Sequence, residues 1–144
     1  MSEAVTLRQA RAEDTAGLVA LLAQLFAIEA DFAIDPEVQA RGLALLRERP
    51  DAAILVAEAE GRVVGMCTMQ LTISTARGGL SAGIEDVVVD QAWRGRGIGR
   101  ALLAGAETWA RERGAVRLAL LADEPNLPAL DFYDRLGFTR TRLV

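Results

Sequence analysis

Apolar and polar positions alternate over Val5–Gln9, which predicts a first β-strand. Asp14 or Thr15 can cap the helix that follows, which runs to about Ala30 with Leu18, Leu21, Leu22, Leu25, Phe26 and Ile28 on its apolar side. Asp35-Pro36 restarts a helix that reaches about Arg49, because proline is tolerated in a first turn, and Pro50-Asp51 ends it. Ala53–Ala59 and Arg62–Ser74 read as two strands of a hairpin turned at Glu60-Gly61. After the turn Arg77-Gly78-Gly79 comes the strand Leu80–Val89, then a glycine-rich turn and a helix over Ile98–Arg113 that Gly114 is placed to close. Val116–Leu121 is a short apolar strand, Asn126–Leu136 a helix closed by Gly137, and Phe138–Val144 a last strand. The order is β-α-α-β-β-β-α-β-α-β, without repeat, low-complexity segment or linker. Three hairpin-connected strands ahead of a β-α-β unit predict an α/β (mixed α+β) fold: a mixed, mostly antiparallel sheet with helices on both faces. The order does not fit a doubly wound Rossmann sheet.

Composition narrows the chemistry. The 144 residues suit one domain with a real core, spanning 1–144, and 51% apolar with 25% charged residues is ordinary for a globular protein. No apolar run reaches the roughly 18 residues of a membrane span, so no membrane partner is expected. The opening Met1-Ser-Glu-Ala has no basic segment leading into an apolar one, and a cytoplasmic location is the expectation. Cys67 is the single cysteine and there is no histidine, which excludes an internal disulfide, histidine triads and, in effect, a Cys/His metal site; no metal is expected. Cys67 lies in an apolar strand and reads as a small core residue. All sixteen basic residues are arginine, which removes lysine Schiff bases and any Walker-type lysine. A net charge of −4 without a basic stripe argues against nucleic acid and is compatible with a cationic amine.

The most informative stretch is Arg94-Gly-Arg-Gly-Ile-Gly99-Arg100, between an apolar strand and a helix. Unpaired amides and the positive end of a helix dipole converge there on one point, and glycines let the backbone approach an anion closely. A diphosphate is the natural occupant. Gly95, Gly97 and Gly99 miss the G-x-G-x-x-G spacing of dinucleotide folds, and no G-x-x-x-x-G-K-[ST] is present. What remains is R-x-x-G-x-G at Arg94, Gly97 and Gly99. With Ile84-Glu-Asp-Val-Val-Val-Asp90 before it, Trp93 beside it, and Asn126, Ala129, Phe132-Tyr133 and Leu136-Gly-Phe138 after it, the chain resembles the GNAT family of N-acetyltransferases. The opening Leu7-Arg-Gln-Ala-Arg-Ala-Glu-Asp14 is similar to that family's first strand and helix cap, so the resemblance covers essentially the whole chain.

The resemblance implies the acyl-CoA N-acyltransferase fold and acetyl-CoA as donor and co-substrate. It implies that main-chain amides of Arg96, Gly97, Ile98, Gly99 and Arg100 hold the pyrophosphate, with Gly95 in the same turn. Arg94, Arg96 and Arg100 either add charge to the phosphates or are plain exposed arginines at a helix start. It also implies that the fourth strand splays from the fifth, with the main chain of Val87, Val88 and Val89 against the pantetheine arm; a backbone N–H there polarises the thioester carbonyl. Asn126, Leu130 and Tyr133 share one helical face, which the resemblance sets against the cofactor, Asn126 on the arm and Tyr133 near the sulfur. Asn126 also fits a helix N-cap, and Tyr133 a buried core tyrosine.

The implied reaction is direct acetyl transfer to a primary amine in a ternary complex. An ammonium with a pKa near ~10 must first lose a proton, and the departing thiolate benefits from one. Without histidine the base is a carboxylate, a water chain ending on one, or a water oriented by the backbone. Glu85 and Asp86 are the candidates, and strict alternation favours Glu85, on the face shared with Val87 and Val89; Asp86 would then anchor a hydrogen-bond network. Tyr133 is the candidate acid. Acceptor choice is expected in the first two helices and their connection, where Phe26, Glu29, Asp31, Phe32, Asp35 and Glu37 combine aromatic and acidic groups. The acceptor is expected to be a small-molecule amine. One strand follows the last helix where the family often has two, so a partner chain in a homodimer is one source of another strand. The competing readings are a non-catalytic acyl-CoA-binding sensor and an enzyme acting on protein N-termini or lysines.

Overall fold

The computed structural model describes residues 4–29, 33–121 and 127–139. Five strands form one sheet in chain order: β1 (Thr6–Gln9), β2 (Ala52–Ala59), β3 (Arg62–Ser74), β4 (Gly79–Val89) and β5 (Arg117–Leu120). The first four pair antiparallel and β5 runs parallel to β4, the mixed, mostly antiparallel sheet that the order of elements predicts. The helices are α1 (Thr15–Ile28), α2 (Pro36–Glu48), α3 (Ile98–Glu112) and α4 (Leu127–Arg135). The expected last strand over Phe138–Val144 is not formed at Phe138 and Thr139, and 140–144 lie outside the described residues. Among the described residues, no helix is long and apolar enough to cross a membrane.

β2 and the first half of β3 are near-continuous apolar runs because both faces of the sheet are covered. On one face Leu18, Leu21, Leu22 and Leu25 of α1 and Leu43 of α2 pack on Ile54, Val56, Met66 and Val88. On the other, Ile98, Leu102, Ala106 and Trp109 of α3 pack on Ala57, Cys67, Met69 and Ile84, with Tyr133 of α4 joining them. Cys67 is fully buried, as its apolar surroundings in the sequence suggest.

The start of α1 differs from the expected cap. Asp14 makes no side-chain cap to α1. Its carboxylate instead accepts from Arg8 Nη1 at 2.7 Å and Nη2 at 3.0 Å, and from the Arg11 amide at 2.7 Å. Arg8 Nη2 also donates to Glu58 at 2.7 Å, so one guanidinium ties β1, β2 and the entry to α1. A planar, two-pronged donor outcompetes a single helix amide for the same oxygens. Arg8 therefore holds the Asp14 carboxyl below its ordinary value.

Two irregularities in β4 shape the site. Its register with β3 jumps from Met66↔Val88 to Thr68↔Glu85, so Asp86 and Val87 together oppose Cys67. Asp86 has a left-handed φ of 53°. This bulge inverts the alternation of the strand. Before it, Ala82 and Ile84 pack toward α3; after it, Val87 and Val89 do, while Val88 packs under α1 and α2. The second irregularity is an early end to the β4–β5 ladder. Its last register pair is Ile84↔Leu120, closed by Leu121 N–H to Ile84 O at 3.3 Å, whereas pairing with β3 continues to Val89. Among the described residues the second half of β4 thus has one edge without a strand beside it.

Candidate active site

The glycine turn forms the mouth of α3. Gly97 is its N-cap at φ 81°, ψ 9°, with no side-chain cap, and the first helical bond from the turn is Ala101 N–H to Gly97 O at 3.0 Å. The amides of Ile98, Gly99 and Arg100 precede that bond and have no acceptor within the helix. A left-handed residue followed by right-handed ones turns successive N–H groups toward one concavity, an anion nest at the positive end of the dipole. A β-carbon on Gly97 would meet no atom within 4 Å, so the glycine is required by its φ and not by crowding within the protein.

Gly99 has a packing role beside the anion approach expected of it. A β-carbon there would lie 3.3 Å from Phe132 Cζ and 3.9 Å from Val89 Cγ2. Its absence lets α4 and the end of β4 close on the first turn of α3. The three arginines are exposed. Arg94 Nε donates to Val89 O at 3.0 Å, and the Arg96 guanidinium stacks 4.5 Å from the Trp93 ring centre. Trp93 is buried, so this stacking anchors the turn to the core.

Val87, Val88 and Val89 lie on the half of β4 that β5 leaves. The Asp90 amide bonds Val64 O at 2.8 Å. Backbone polar groups alternate direction along a strand, so Val88 points toward β3 with Asp90, and Val87 and Val89 point toward the open edge. The Arg94 bond to Val89 O fits that direction. The open strand edge runs along the chain into the turn that forms the nest.

The carboxylates are arranged otherwise than alternation suggests. The bulge separates Glu85 from the face of Val87 and Val89: Glu85 is exposed and in register with Thr68, while the valines pack on the opposite layer. Asp86 is half-buried and accepts a hydrogen bond from Thr68 Oγ1 at 3.2 Å. Both acids therefore stand on the α1/α2 side of the sheet. Burial, with repulsion from Glu85 and Glu29, pushes the Asp86 carboxyl up from 3.8 to about 6 despite the opposing Thr68 bond. Tyr133 is buried between Phe132 and Phe138, with ring centres at 5.6 and 6.1 Å. Burial, then the charges of Glu29 and Cys67, raises its hydroxyl above the usual tyrosine range. The Cys67 thiol is pushed up to about 12 by burial, with Asp86 adding to it. Asp86, Cys67, Tyr133 and Glu29 thus share one electrostatic neighbourhood beneath the β4 bulge.

Asp86 and Thr68 also line a cleft of about 790 Å³ under α1 and α2, within the range of small-molecule sites. Phe26 and Asp35 line it, as expected of the acceptor region; Glu37 is exposed on the first turn of α2. Asn126, Asp31 and Phe32 lie outside the described residues. Thr68 was not legible as a site residue, because only the shifted register brings it to Asp86.

Residues 22–138 match the acetyltransferase (GNAT) family, and the chain belongs to that family. It is 40% identical over 79 residues to glucosamine 6-phosphate N-acetyltransferase of Trypanosoma brucei brucei, covering 54% of this chain and 52% of that protein. The match therefore spans about half the length of that relative. Aminoalkylphosphonate N-acetyltransferase of Salmonella typhimurium is 31% identical over 135 residues, 94% of this chain and 85% of the relative. Among solved structures, a transcriptional regulator from Bacillus halodurans C-125 superposes with a TM-score of 0.87 at 30% identity, covering 98% of this chain and 97% of that one.

Proposed function

We propose that this chain is an N-acetyltransferase that moves an acetyl group from acetyl-CoA to the primary amine of a small molecule, by direct attack in a ternary complex. The observation that carries the reading is the second half of β4. One of its edges opens beside the amide nest of α3, and its bulge delivers Asp86 to the cleft on the other side. A single strand thereby addresses donor and acceptor.

The amides of Arg96 to Arg100 hold the pyrophosphate, and the exposed arginines at the mouth add long-range attraction. The open edge at Val87 to Val89 takes the pantetheine arm as a strand would, and an amide there stabilises the oxygen charge that grows as the amine attacks. Acetyl-CoA supplies the activated acyl group. Asp86 takes the proton from the substrate ammonium, and the lone pair it frees forms the new C–N bond as the C–S bond breaks. Tyr133, kept protonated by burial, gives its hydroxyl proton to the leaving sulfur and is restored by the second proton that the new amide nitrogen sheds. Glu85, outside on the same face, draws the ammonium toward the cleft. Asn126 is assigned to the arm on the family resemblance alone.

The test combines calorimetry with acetyl-CoA and thiol release across a panel of amines. Tight binding with amine-dependent thiol release supports the reading. Binding without turnover on any amine or peptide favours the competing reading, a non-catalytic acyl-CoA-binding module. Turnover confined to peptide N-termini or lysines would reassign the acceptor.

A further inference from the structure

We infer that the acceptor is a primary monoamine carried on an apolar body, an inference that rests on the acetyltransferase reading above. The acceptor cleft separates charge from greasy surface. Asp86 and Thr68 stand at one end, on the floor formed by β3 and β4. Leu22, Phe26, Val38, Leu43, Leu46 and Leu71 give the cleft a broad apolar wall, in which Gln39 and Gln70 are the neutral polar members. Val38 stays 46% exposed, and Leu45, also in the lining, 62% exposed. Large apolar side chains left to water at the wall of a cleft gain most from an apolar occupant.

The other charges that line the cleft are already engaged. Asp35 accepts the Val38 amide at 3.4 Å and caps α2. Asp51 is gripped by Arg49, Nε at 3.0 Å and Nη2 at 3.4 Å. That pair stands near Gln70 and Leu71, because the Leu71 amide bonds Asp51 O at 2.9 Å. Two to three residues of β3 separate it from Thr68, about 7–10 Å. Among the described lining residues Asp86 is thus the carboxylate bonded only by a neutral hydroxyl. Glu85 and Glu29 act on Asp86 and concentrate negative potential at that same end.

One ammonium is therefore accommodated at the reacting end. A polycation would bring further ammonium groups against leucine and valine at a desolvation cost, with Asp35, held only by the Val38 amide, as the single further carboxylate without an arginine beside it among the described lining residues. An amine bearing a phosphate would find Arg49 already engaged by a carboxylate. An aliphatic or aromatic monoamine meets neither obstacle.

The test measures kcat/KM for thiol release with the full chain and acetyl-CoA. The acceptors are ethylamine, butylamine, hexylamine and phenethylamine, against spermidine, kanamycin and glucosamine 6-phosphate. The straight-chain alkylamines have nearly equal ammonium acidity, so along that series the apolar body is what changes. The expected result is a rise of roughly fourfold per added methylene, the ratio that methylene burial implies, with hexylamine and phenethylamine ahead of the polar acceptors. A flat alkyl series, or kanamycin, spermidine or glucosamine 6-phosphate in the lead, overturns the apolar-acceptor inference and leaves the acetyltransferase reading standing. Thiol release with none of these amines, despite acetyl-CoA binding by calorimetry, overturns both.

Discussion

Replacing Asp86 by asparagine separates its chemistry from its shape. Asparagine is among the residues best able to hold a left-handed φ, so the 53° at this position survives the change, and its side-chain oxygen can still accept from Thr68. What disappears is the ionisation. In the fold the carboxyl titrates at about 6 against an ordinary 3.8, and that difference is worth about 3 kcal/mol. Because the folded value is the higher one, the native state binds the extra proton between those values. Wild-type stability therefore falls as pH rises from about 4 to about 6, and the deficit persists above. The variant lacks this loss. Its melting temperature should match the wild type near pH 4 and exceed it at pH 8 by up to roughly 10 °C. Activity should move the other way. The ratio of wild-type to variant kcat/KM cancels the amine's own ionisation. It should climb about tenfold per pH unit below about 6 and level off at roughly a hundred- to ten-thousand-fold. A ratio independent of pH, equal melting curves at pH 8, or a larger activity loss from Glu85→Gln would each refute the assignment of Asp86 as base.

Gly97→Val forces a β-branched residue to a φ of 81° and fills the mouth of the nest. Acetyl-CoA affinity by calorimetry should fall at least tenfold, and stability by about 1–2 kcal/mol. Tyr133→Phe should lower kcat while leaving KM for acetyl-CoA within about twofold; the raised pKa of this hydroxyl also means that the wild-type profile shows no falling limb from Tyr133 between pH 7 and 9. Asp14→Asn should cost about 3 kcal/mol at pH 7 by leaving Arg8 under-paired. The Asp14 carboxyl is depressed in the fold, so its contribution is complete above its unfolded value near 3.9 and is lost as pH falls below that. The gap between wild-type and variant urea midpoints should therefore close in acid.

Local pattern carried most of the fold. The apolar periodicity of Leu18 to Leu25 located α1, and Asp35-Pro36 located the start of α2 to the residue, because a cap and a proline act within one turn. Within the donor site, the glycines and the strand ahead of them are contiguous, and their geometry followed from backbone rules alone. The acceptor side was less legible. Glu85 was favoured over Asp86 by a period of two, and one extra residue opposite Cys67 reversed the phase of the strand. A bulge is fixed by pairing with β3, and no residue of β4 announces it. Likewise Asp14 reads as a helix cap until the fold brings Arg8 beside it. Gly99 reads as part of a phosphate motif, and its contact with Phe132 appears only when two helices distant in sequence meet.

The burial of Cys67 has a practical side. The protein has one thiol, fully enclosed and poorly ionised at neutral pH, with its pKa pushed up to about 12. Disulfide exchange and alkylation need an exposed thiolate, so the folded protein should neither consume a colorimetric disulfide reagent nor lose activity to maleimide. Free coenzyme can then be counted continuously in the cuvette, without a quench, and any slow protein-derived colour becomes a direct clock for unfolding.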